Sequence, residues 1–69
     1  MKGMIENHKR AATQLETAAK YHNEAVRFHE SGEHDKALVS TVRAHGHTII
    51  ASELQREFLK YQASTKFIL

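Results

Sequence analysis

The chain has 69 residues, 41% of them hydrophobic, and a formal net charge of +2, which allows one domain near the lower size limit for a single core. It has no cysteine, which excludes a disulfide framework and a thiolate zinc site, and leaves oligomerisation as the usual route to stability at this size. Residues 1–34 carry five basic and five acidic side chains and residues 35–69 carry five and three, so a basic run able to make a strong nucleic-acid footprint is missing.

The start, Met1-Lys2-Gly3-Met4-Ile5-Glu6, turns polar too soon for a secretory signal. Apolar stretches such as Ile49-Ile50-Ala51 stop far short of the ~20 residues a membrane span needs. The expectation is a cytoplasmic protein with no membrane partner. Proline is absent and only three glycines occur, a bias toward long helices.

A first helix is predicted over about 5–30. Ile5, His8, Ala12, Leu15, Ala19, His22, Val26 and His29 recur three and four residues apart, the heptad pattern of a helix–helix seam. Ala11, Ala18 and Ala25 line one flank, where a neighbouring helix can approach closely. Ser31-Gly32-Glu33-His34 is the predicted turn, since glycine suits the left-handed residue that ends a helix, and Ser31 or Asp35 can cap. A second helix follows over about 35–66. Thirty helical residues measure ~45 Å, and a short turn makes the two helices antiparallel neighbours.

The second helix reads as two stripes. Leu38, Val42, His45 and Ile49 form one, expected to pack on the first helix. Ile50, Leu54, Phe58 and Tyr61 form another on the opposite face, expected to meet a second subunit, with Gly46 where the stripe changes side. The fold expected is therefore all-α, a single antiparallel two-helix hairpin over residues 1–69 that dimerises into a four-helix bundle, with a tetramer as the larger alternative. The terminal Phe67-Ile68-Leu69 would add apolar surface to that interface.

Histidine is the one residue type placed for chemistry. His22, His29 and His45 fall at seam positions in this reading, with His22 and His45 facing each other across the closed hairpin, while His8, His34 and His47 read as surface or end positions. Imidazoles inside a bundle can be neutral register residues or ligands for zinc, copper or nickel. A third use is a pH-sensitive seam. Neither Glu-x-x-His at seam positions nor His-Glu-x-x-His occurs. Glu53 and Glu57 read as a solvated face, and Ser40, Thr41, Thr48 and Ser52 lack the coordinated partners of a nucleophile. The chain is thus expected to be a non-enzymatic self-association module without a cofactor. The alternatives are a transition-metal bundle through His22, His45 and His29, or an RNA-binding hairpin dimer.

Three resemblances bear on this. Tyr21, Ala25, Phe28, Gly32, Ala37 and Ala44 resemble the small-and-aromatic pattern of one tetratricopeptide repeat, but such units stand in arrays of about three. Ala18-Ala19-Lys20-Tyr21-His22, His29-Glu30-Ser31-Gly32-Glu33-His34-Asp35-Lys36-Ala37 and Ala44-His45-Gly46-His47 together resemble a group of small bacterial proteins rich in alanine and histidine. That resemblance covers most of the chain and implies a helical hairpin and metal handling, although this chain holds fewer histidines, notably after His47. In size and architecture the chain also resembles the Rop-type plasmid regulators, which imply RNA binding through a basic stripe. Lys9, Lys20, Arg27, Arg43 and Lys60 would have to supply it.

Overall fold

A computed structural model describes residues 2–65; the side chains of residues 2, 58 and 61–65 are outside that description. Helix α1 spans Lys2–Glu30 and helix α2 spans His34–Thr65, antiparallel and in contact along their length in a rod of 52 × 17 × 16 Å. The all-helical hairpin expected from the sequence is what forms. The tail Phe67-Ile68-Leu69, assigned above to an interface, lies outside the described residues.

The turn ends α1 by a complete backbone motif. Glu33 N donates to Phe28 O at 2.8 Å and Gly32 N to His29 O at 3.1 Å, with Gly32 at φ +80°. This is the Schellman arrangement, which satisfies the last carbonyls of a helix and needs a left-handed residue after its end. Glu33 then opens α2, its carbonyl accepting from Ala37 N at 3.1 Å. Its carboxylate accepts from Ser31 Oγ at 3.0 Å and pairs with Lys36 Nζ at 2.9 Å. The hydrogen bond from Lys36, then that from Ser31, holds the Glu33 carboxyl below its ordinary value. Replacing Gly32 by alanine forces a Cβ into left-handed backbone. The expected result is a loss of about 1 kcal/mol in thermal or urea unfolding, with the helical spectrum kept.

The packing between the helices differs from expectation in phase. The buried apolar residues are Ala11, Ala18 and Ala25 on α1 and Ala37, Ala44 and Ala51 on α2. Each set repeats every seven residues. Met4, Asn7, Gln14, Thr17, Tyr21, Glu24 and Phe28 on α1, with Ser40, His47 and Leu54 on α2, are the other buried or half-buried residues among those described. The true seam therefore lies one residue behind the one read from Ile5, His8, Ala12, Leu15, Ala19, His22, Val26 and His29, all of which are exposed. One residue is a rotation of ~100° about the helix axis, enough to turn a core stripe outward. The two-stripe reading of α2 is corrected too. Leu38, Val42, His45 and Ile49 face away from α1 and are exposed, and the same alanine-lined seam continues past Gly46 without changing side.

Polar residues occupy the wider layers of this seam. His47, expected at the surface, is half-buried and stacks on Tyr21 with ring centroids 5.6 Å apart. Its Nδ1 donates to Gln14 Oε1 at 2.5 Å. Ser40 is 1% exposed and donates its hydroxyl to Glu24 Oε1 at 2.6 Å, so its burial carries no unsatisfied donor. Arg43 lies over the Tyr21 ring at 5.8 Å and Lys36 over Phe28 at 5.9 Å, closing one side of the seam with cations on aromatic faces.

Candidate functional site: an uncharged face carrying the histidines

Heptad geometry sorts the outward positions into two sides and a back. Because the helices are antiparallel, the side one residue ahead of the seam is the same side for both. Two contacts bear this out: His8 and Gln55 flank the same small recess over Ala11 and Leu54, and His29 meets His34.

This side carries Ile5, His8, Ala12, Leu15, Ala19, His22, Val26 and His29 from α1. From α2 it carries His34, Leu38, Thr41, His45, Thr48, Ser52, Gln55 and Leu59. All are exposed, and none is Asp, Glu, Lys or Arg. The charged residues of the described helical side chains all fall elsewhere. Glu6, Arg10, Lys20, Glu24, Arg27, Lys36, Arg43, Glu53, Glu57 and Lys60 take the opposite side, and Lys9, Glu16, Glu30, Asp35 and Arg56 take the backs. Chance scatter of charge on two solvated helices does not leave one broad side clear. Large aliphatics stand open on it, with Leu38 64% and Leu59 61% exposed.

Every histidine except His47 is on this face. His29 and His34, at the turn, have their Nδ1 atoms 2.7 Å apart and their rings 4.9 Å apart, so one Nδ1 carries a proton and the other accepts it. His22 and His45, expected to oppose each other inside the hairpin, instead share this outer face, one on each helix. Among the described residues no three His, Asp or Glu side chains converge as a metal-holding group within one hairpin.

The residues expected at a subunit interface scatter. Ile50 is exposed on the charged side, and Leu54 is turned inward at the recess with Asn7 and Ala11. The Phe58 and Tyr61 side chains lie outside the described residues. What the sequence reading missed, the clear face itself, was visible as a heptad rule on charge: no Asp, Glu, Lys or Arg one residue after any seam position from 7 to 54.

No described helix is long and apolar enough to cross a membrane. Comparison with protein-family models, with curated proteins and with solved structures gave no match for this chain.

Proposed function

We propose that this hairpin is a self-association module whose uncharged face meets the same face of a second copy, making a four-helix bundle without enzymatic activity. The observation that carries this is the absence of charge, among the described side chains, from a face that runs from Ile5 to His29 on α1 and from His34 to Leu59 on α2. A side chain that is buried on assembly must not strand an ion, and that constraint explains a pattern that solvation alone does not. About 25 helical residues measure ~38 Å, so at a width of 17 Å the face offers about 650 Å², at the lower end of the ~600–1,000 Å² per partner of a standard stable interface. A second copy is favoured over another protein because the hairpin alone encloses little. Among the described residues its buried apolar side chains are all alanine, each contributing only ~0.8 kcal/mol per methyl. A chain that needs a partner to fold is best served by one that is always present with it.

A second reading is favoured by the placement of His22 and His45, both on this face, one on each helix. In a dimer they would be duplicated across the interface, and imidazoles from two copies could hold zinc, copper or nickel. The RNA-binding alternative has weaker support, because the basic residues of the opposite side are interleaved with Glu6, Glu24, Glu53 and Glu57.

Native mass spectrometry of untagged protein, prepared without chelator or metal column, tests these together. A species of twice 7.9 kDa without metal is the expected result. The same dimer with stoichiometric metal would promote the second reading. A fully helical monomer at micromolar concentration would overturn both.

A further inference from the structure

The side of α2 turned away from α1 bears a second apolar stripe that the histidine-bearing face does not use. Val39, Val42, Gly46 and Ile49 recur three and four residues apart there, with Val39 50%, Val42 62% and Ile49 46% exposed. That spacing is a helix-packing seam in its own right. Asp35 bounds it at one end and Glu53 and Arg56 at the other.

Gly46 is the informative member. A glycine inside a helix costs about 1 kcal/mol relative to alanine, and a Cβ built on Gly46 meets nothing within 4 Å. Neither its backbone conformation nor the packing within the hairpin calls for glycine. What glycine supplies on an exposed helix face is room for another backbone or a large side chain.

The stripe also matches itself. In an antiparallel crossing centred on Ala44, Val39 of one helix comes opposite Ile49 of the other, and Val42 comes opposite Gly46. Each large residue at the centre thus meets the space left by a glycine, twice. Lys36 comes beside the second copy's Glu53, offsetting the approach of that carboxylate to Asp35. We infer that this stripe is a second self-association surface, on which α2 packs antiparallel against α2 of another copy with Val42 seated over Gly46. Together with the histidine-bearing face it would join dimers into tetramers. The contact spans about three helical turns, so it is weak and concentration-dependent on its own.

Sedimentation velocity from low micromolar to near-millimolar concentration tests it, with three variants. The wild type should pass from dimer toward tetramer as concentration rises. Gly46→Val should weaken that second step at least ~10-fold, and Val42→Gly/Gly46→Val should restore it, because the pair is exchanged symmetrically across the crossing. Gly46→Ala should raise the melting temperature through helix propensity while weakening the tetramer, so lost association cannot be ascribed to lost folding. A wild type that stays dimeric at every concentration and whose dimer Gly46→Val leaves intact, or a Gly46→Val variant that associates unchanged, overturns the inference. A species no larger than a dimer that Gly46→Val dissociates would support this stripe and overturn the histidine-bearing face as the interface.

Discussion

Replacing Ala44 with leucine is expected to abolish the native hairpin, or to lower its unfolding free energy by about 3 kcal/mol, the upper part of the usual range for overpacking. Ala44 and Ala37 are fully buried, in a seam whose buried apolar side chains, among the described residues, are alanines, which have no alternative rotamers. The α2 axis must move outward along its whole length, and doing so opens the His47–Gln14 and Ser40–Glu24 layers together. Urea unfolding followed by circular dichroism checks this against Thr13→Leu, an exposed position on α1 where leucine should be neutral or slightly stabilising. Equal stability of the two variants would mean that the alanines are not the contact surface.

Placing a permanent charge on the uncharged face, as in Leu38→Asp, is expected to dissociate the assembly or weaken it by ~100-fold or more. Five histidines per copy, His8, His22, His29, His34 and His45, lie on the face proposed to be covered. Between them on that face stand aliphatic, alanine, hydroxyl and amide side chains, and no described Lys or Arg is there to pair a new carboxylate when the faces meet. Sedimentation of the wild type and of Leu38→Asp at pH 7.5 reads the effect. A dimer insensitive to Leu38→Asp would place the interface elsewhere. The Glu33 pairing at the turn gives a pH dependence of its own. Its carboxyl is held below the ordinary value by Lys36 and Ser31, so its contribution persists above the unfolded value near ~4.3 and is lost only as the pH falls further.

The architecture was legible in the sequence because its signals are local: no proline, a heptad rhythm and a glycine where a helix ends. The phase was not, and the reason lies in two doublets. Ala11-Ala12 and Ala18-Ala19 offer two alanine stripes one residue apart, and hydrophobicity alone cannot choose between them. Weight then passes to the bulkier neighbours Ile5, Leu15 and Val26, which select the outer stripe. What decides the matter is α2, where Ala37, Ala44 and Ala51 repeat in the same rhythm and only small residues suit a close approach of two backbones. Bulky side chains are a guide to burial when a protein fills its own core. They mislead where the larger side chains stand on faces the hairpin itself leaves open. His47 was missed for the same reason, since its place three residues after Ala44 means little until Ala44 is known to face inward.

The seven-residue recurrence of alanine on both arms has a consequence for how such a chain can change through descent. A deletion or insertion of one or two residues within either helix rotates everything beyond it by ~100° per residue and misaligns the small side chains on which contact depends. Seven residues added to or removed from each arm together leave the alanines in step and alter only the length of the rod. Lineages carrying this hairpin should therefore vary in paired sevens, and a family tree of its lengths would be stepped rather than continuous.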